Sequence, residues 1–173
     1  DALTGLLNRQ GFSQAMEDYF RRHEASPCVV GVLDIDDFKL INDVYGHAAG
    51  DQVLQDIARN LLAAFPEDSI IGRNGGDEFS FLLPDTTMAA AQEQIDRFVT
   101  QDRFYVHRGV AQAYSISLGY AGAPQDNTDM DLLSKADMAL YAVKLQGRHR
   151  ALAFQEDMPT ARRTQLGFNL SNI

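Results

Sequence analysis

Asp77 and Glu78 stand side by side in the stretch RNGGDEFSFLLP (residues 73–84), behind two glycines and ahead of an apolar ladder. A second acidic group, Asp34, Asp36 and Asp37, closes the apolar run CVVGVLDID that begins at Cys28. Either group alone reads as a solvated turn or a charged strand end, because Asp and Gly are ordinary turn residues. As a pair they carry more. If the two stretches are neighbours in a sheet, Asp34 and Asp77 converge at one edge with Glu78 nearby, and carboxylates crowded in that way repel unless protonated or bound to cations. Oxygen donors without His or Cys suit Mg²⁺, which takes one or two protein carboxylates and completes its shell with water and substrate phosphates. Gly75 and Gly76, lacking side chains, would let a phosphate approach the backbone. The chemistry implied is a metal held against a nucleotide.

Those residues must be delivered by regular elements. CVVGVLDID is apolar on both faces, which suits a central strand, with Val30, Val32, Asp34 and Asp36 on one face and Val29, Leu33 and Ile35 on the other. SIIGRN and EFSFLLP flank Asn74-Gly75-Gly76, a hairpin signal because these residues tolerate positive φ. Apolar residues at helical spacing predict a helix in GFSQAMEDYFRRHEA through Phe12, Met16, Tyr19 and Phe20. FKLINDVYG reads as a short helix closed by Gly46, and GDQVLQDIARNLLAAF as a longer one with Val53, Leu54, Ile57, Leu61 and Phe65 inward. TTMAAAQEQIDRFVTQ and DMDLLSKADMALYAVKLQG are two more helices, the latter ending at Gly147. FYVHRGVAQAYSISLGYAG holds two β segments separated near Arg108-Gly109, and HRALAF is a short edge strand. Helices segregated around hairpin-connected strands indicate an α+β domain with a mainly antiparallel sheet.

Composition narrows the function. The 173 residues are 45% hydrophobic, enough for one domain with a sizeable core. A net charge of −9 argues against a nucleic-acid or anionic-membrane surface, so an anionic ligand must be held by local cations or metal. Cys28 is the lone cysteine, which fits a reducing compartment, and no apolar run approaches a membrane span. The expectation is a cytoplasmic domain. Its abrupt opening on DALTGLLNRQGF reads as excised from a longer protein with attached sensor or effector domains, for which a membrane anchor is one option.

Five blocks occur in one order: DALTGLLNR, DIDDFKLINDVYGHAAGD, RNGGDEF, SISLGYA and ADMALYAVKLQGRHR. In that order and spacing, the chain from Asp1 to about Phe154 resembles the GGDEF domain of the diguanylate cyclase family, leaving residues 155–173 as a tail or linker. The resemblance implies a nucleotidyl-cyclase-like, palm-like fold with a central antiparallel sheet surrounded by helices. It implies condensation of two GTP into cyclic di-GMP and two pyrophosphates, with two Mg²⁺ (or Mn²⁺) per active site and a homodimer in which each chain holds one GTP.

Carried over at matching positions, Asp34, Asp77 and the Ile35 carbonyl resemble the metal ligands, and Asp77 also the proton acceptor. Glu78 matches the second acidic position of the signature, in the catalytic set with Lys39. Asn42 and Asp51 match the guanine-reading pair. Lys39, Lys144 and Arg148 match the cations that meet phosphate, and Phe38, Gly75 and Gly76 fall in the substrate-binding set. Each has a plainer alternative. Lys144 and Arg148 end a helix, where basic residues favour the dipole; Asn42 could cap local backbone; Phe12, Phe38, Phe79 and Phe81 could serve the core; and His47 is taken as structural. Two departures stand out. The family's inhibitory product site is an RxxD motif upstream of the signature, and here the stretch is PEDS, with Pro66 and Ser69 in place of Arg and Asp. His149 replaces the family's usual Asn. The rival to an active enzyme is a catalytically silent GTP-binding regulatory domain of a larger signalling protein.

Overall fold

A computed structural model describes residues 1–22, 26–126 and 130–159. The element order is α1 (Arg9–Arg22), β1 (Cys28–Ile35), α2 (Phe38–Tyr45), α3 (His47–Ala64), β2 (Ile70–Gly75), β3 (Glu78–Leu83), α4 (Met88–Thr100), β4 (Arg103–His107), β5 (Val110–Tyr114), β6 (Ile116–Ala123), α5 (Asp131–Leu145) and β7 (Ala151–Ala153). The segments 23–25 and 129 of the expected first and last helices, and 160–173 of the expected tail, lie outside the described residues.

β1 is buried along its whole length at the centre of a five-stranded sheet of order β2-β3-β1-β6-β7. It runs antiparallel to β3 and β6, and β7 adds a parallel edge strand beside β6. The two-faced pattern read from the sequence is realised: Val29, Leu33 and Ile35 pack with α3 and α4, while Cys28, Val30 and Val32 pack with α1 and α5. Each such buried side chain contributes roughly 1.5–3 kcal/mol through removal of apolar surface from water, so the central strand is firmly anchored.

The hairpin follows the expectation with a shift at its tip. β2 runs through Asn74 to Gly75, a bulge falls between Arg73 and Gly75, and the two-residue turn is Gly76-Asp77. Gly75 (φ 114°) and Gly76 (φ 54°) supply the left-handed backbone that this turn needs. The expectation of two β segments between Phe104 and Gly122 is corrected to three strands. The second segment breaks at Ser115, so that β4 and β5 form a separate two-stranded sheet and only β6 joins the main one. The break has a physical cause, because the Ser115 carbonyl accepts from the Asp36 N–H and its hydroxyl donates to the Asp36 carboxylate. α3 begins at His47, ahead of the Gly50 expected from periodicity. Among the described residues no helix is long and apolar enough to cross a membrane.

Candidate active site

β1 ends at the sheet edge where β3 begins, and the antiparallel register sets Asp34 directly opposite Glu78. Asp77, at the hairpin tip, is thereby carried to the end of β1. Arg73 holds the tip in place: its Nε and Nη2 donate to the Gly76 carbonyl at 3.0 and 2.7 Å, and its Nη1 donates to the Asp1 carboxylate at 3.2 Å. α5 crosses β6 at Gly119, where a Cβ would lie 2.1 Å from the Leu140 nitrogen, so only glycine permits this approach. The close seat brings Lys144 to the opposite side of the same edge. Its ammonium donates to Asp34 Oδ2, and both side chains are almost wholly buried. Charges so buried are tolerable only when paired.

One cavity of about 580 Å³ opens over this edge. Asp34, Ile35, Asp77, Lys144 and Arg148 form one part of its wall, and Phe38, Lys39 and Asn42 of α2 form another. Eight of the residues singled out from the sequence are thus brought together. Phe38 lines the cavity and also packs against the core. Asp51 is exposed and outside the lining, but it follows Gly50, where a Cβ would lie 1.9 Å from Asn42 Oδ1. That absent side chain is what lets α3 lie against the Asn42 amide. Gly75 and Gly76 lie outside the lining, with open space where a Cβ would stand, so their turn conformation requires glycine. Glu78 lines a neighbouring cavity of about 360 Å³ with Arg9 and Asp137. Pro66 and Ser69 sit in the turn between α3 and β2, closed by a hydrogen bond from the Ser69 N–H to the Pro66 carbonyl.

Sequence reasoning passed over three contributors. Asp36 and Asp37 line the cavity beside Asp34, signalled only by the acidic run that follows β1. Arg73 was visible in the quoted stretch, but its partner Asp1 lies 72 residues away.

Burial, and next the charge of Asp34, push the Asp77 carboxyl up to about 6, against the opposing pull of Lys144. Among the described residues no three His, Cys, Asp or Glu side chains cluster as a self-sufficient metal site. Asp34, Asp77 and the Ile35 peptide, among the groups that line the cavity, nevertheless fit Mg²⁺, which is usually held by one or two carboxylates together with substrate phosphates. The raised carboxyl is compatible with this, since burial is the main cause and a cation would relieve the Asp34 repulsion that adds to it.

The model of the diguanylate cyclase GGDEF domain matches residues 1–150. The chain belongs to the GGDEF family. Among curated relatives of this GGDEF domain, diguanylate cyclase DgcP of Pseudomonas aeruginosa is 37% identical over 155 residues, covering 87% of the chain and 23% of the relative. Cyclic di-GMP phosphodiesterase PdeR of Escherichia coli is 33% identical over 160 residues, 91% of the chain and 24% of the relative. The chain therefore spans about a quarter of the length of these two proteins. Among solved structures, the isolated GGDEF domain of TpbB (YfiN) from Pseudomonas aeruginosa superposes with a TM-score of 0.84 at 34% identity, covering 90% of this chain and 94% of that one.

Proposed function

We propose that residues 1–154 form a diguanylate cyclase domain that joins two GTP into cyclic di-GMP and releases two pyrophosphates. The observation that carries this reading is the cavity in which Asp34 and Asp77, with Asp36 and Asp37 beside them, meet Lys39, Lys144 and Arg148. Asp34, Asp77 and the Ile35 carbonyl would hold two Mg²⁺, which when bound supply neutralising charge for the attacking and departing oxygens. Asp77, at the hairpin tip in the cavity wall, is placed to accept the proton of a GTP 3′-hydroxyl. The 3′-oxygen then forms a bond to the α-phosphorus of the second GTP, and pyrophosphate leaves with the electron pair of the broken P–O bond. Lys39, Lys144 and Arg148 stabilise the charge that develops on the phosphates. Asn42 and Asp51 select guanine, whose N1–H and N2–H can both donate to a carboxylate in a way adenine cannot. Glu78 supports the set from the same face of the sheet as Asp34. One chain presents one GTP, so catalysis needs a homodimer, whose formation an attached sensor domain would govern in a cytoplasmic setting.

A second reading is a silent, GTP-binding regulatory domain; it is favoured by the relative named as a phosphodiesterase, which aligns across this same domain. Incubation of concentrated protein with GTP and Mg²⁺, followed by chromatography for cyclic di-GMP, separates the two. The cyclase reading expects product, with specific activity falling on dilution as the dimer dissociates. GTP binding without product at any protein concentration selects the regulatory reading.

A further inference from the structure

Asp36 is 8% exposed, and both of its carboxylate oxygens accept hydrogen bonds from the protein. Ser117 Oγ donates to Oδ1 at 2.6 Å, while Ser115 Oγ at 2.6 Å and the His149 backbone N–H at 3.2 Å donate to Oδ2. The same His149 N–H also reaches Ser117 Oγ at 3.1 Å. One carboxylate therefore ties the end of β1 to the junction of β5 with β6 and to the turn that leaves α5.

That turn is strained. Gly147 (φ 104°), Arg148 (φ 68°) and His149 (φ 49°) are consecutive left-handed residues, and two of them carry a Cβ that disfavours this conformation. Such a backbone persists only where its surroundings over-determine it. Two backbone bonds flank it, Arg148 N–H to the Val143 carbonyl and Leu118 N–H to the Arg150 carbonyl, each at 3.1 Å. The strained residue between them, His149, is held by the Asp36 and Ser117 acceptors. Arg148 leaves from the middle of this turn into the wall of the cavity.

We propose that Asp36, acting with Ser117, is a positioning residue that fixes the left-handed Gly147–His149 turn and thereby aims Arg148 at the triphosphate of the bound nucleotide. This rests on the reading of Arg148 as a phosphate-binding cation. Asp36 itself touches no reacting atom. A buried acceptor suits the task because its position is set by β1, which is buried along its whole length, and its hydrogen bonds are little diluted by water.

The test uses the 173-residue chain and two probes in Mg²⁺, 3′-deoxyGTP, which lacks the attacking hydroxyl, and guanosine, which lacks phosphate. Binding is followed by NMR titration, together with hydrogen exchange of the His149 amide. Arg148→Ala should weaken 3′-deoxyGTP by about tenfold or more, the loss expected for a charged hydrogen bond, with guanosine changed less than about twofold. Asp36→Ala should reproduce that split and accelerate exchange at the His149 amide. Asp36→Asn, which retains one acceptor oxygen, should recover part of both. A loss of guanosine binding equal to that of 3′-deoxyGTP would mean a general defect of the site and overturn the inference. If Arg148→Ala weakens 3′-deoxyGTP and neither Asp36 variant does, the inference fails while the reading of Arg148 stands. If Arg148→Ala has no effect, both fail together. Should Asp36→Ala not fold, Asp36→Asn decides alone, and wild-type affinity with wild-type exchange at His149 overturns the proposal.

Discussion

Replacing Asp77 with Asn should stabilise the metal-free protein while abolishing its chemistry. The Asp77 carboxyl titrates near 6 in the fold, against about 3.9 for an unperturbed Asp. A carboxyl raised in this way binds its proton more tightly folded than unfolded. Its favourable contribution is therefore greatest in acid and is lost as pH rises from about 4 through about 6, the reverse of an ion-paired Asp. Above that window, ionised Asp77 opposes folding. At about 1.4 kcal/mol for each unit of pKa the full penalty approaches roughly 3 kcal/mol, and solvent screening of this half-buried side chain reduces it to about 1–2 kcal/mol. Asn carries no charge at any pH, so at pH 7.5 Asp77→Asn should melt higher than wild type by about 2–8 °C, given roughly 2–4 °C per kcal/mol in a domain of this size. The difference should vanish near pH 4. The assay is thermal unfolding by circular dichroism in chelator-treated buffer from pH 4 to 8, repeated with Mg²⁺. Adding Mg²⁺ should raise the melting point of wild type more than that of the variant. An unchanged or lower melting point for Asp77→Asn at pH 7.5, or a gain that persists undiminished at pH 4, would refute the account of crowded, desolvated carboxylates.

Lys144→Met removes the cation from the buried Asp34 carboxylate and should cost about 3–5 kcal/mol of stability, measured by urea denaturation; Asp34→Asn in the same chain should recover a large part, and strict additivity would show that the pair is not coupled. Gly50→Ala forces the Asn42 amide out of its place against α3. It should raise the GTP KM up to roughly tenfold, the worth of one lost hydrogen bond, while an unaltered KM would detach Asn42 from guanine. Cyclic di-GMP added at low micromolar concentration should leave the initial rate unchanged, because Pro66 and Ser69 offer neither cation nor carboxylate; tight noncompetitive inhibition would disprove this.

Much of the molecule is local and therefore legible in the chain. The two-faced apolar run of β1, the helical spacing of Phe12, Met16 and Tyr19, and the glycines of the hairpin each state their structure within a few residues, because periodicity and permitted φ are short-range properties. The five motif blocks, in their order and spacing, carried the resemblance to the GGDEF family. What tertiary structure alone decided is how distant parts meet. Lys144 reaches Asp34 across 110 residues and Arg73 reaches Asp1 across 72. The register of β3 on β1 set Glu78 opposite Asp34, yet its side chain lines the adjoining cavity. Asp36 looked like one more acid in a cluster until Ser115, Ser117 and His149 closed around it. Burial and hydrogen-bond partnership arise only when the sheet assembles, so no window of sequence contains them, and it is they that turn a row of carboxylates into a clamp, an ion pair and a carboxyl poised near 6.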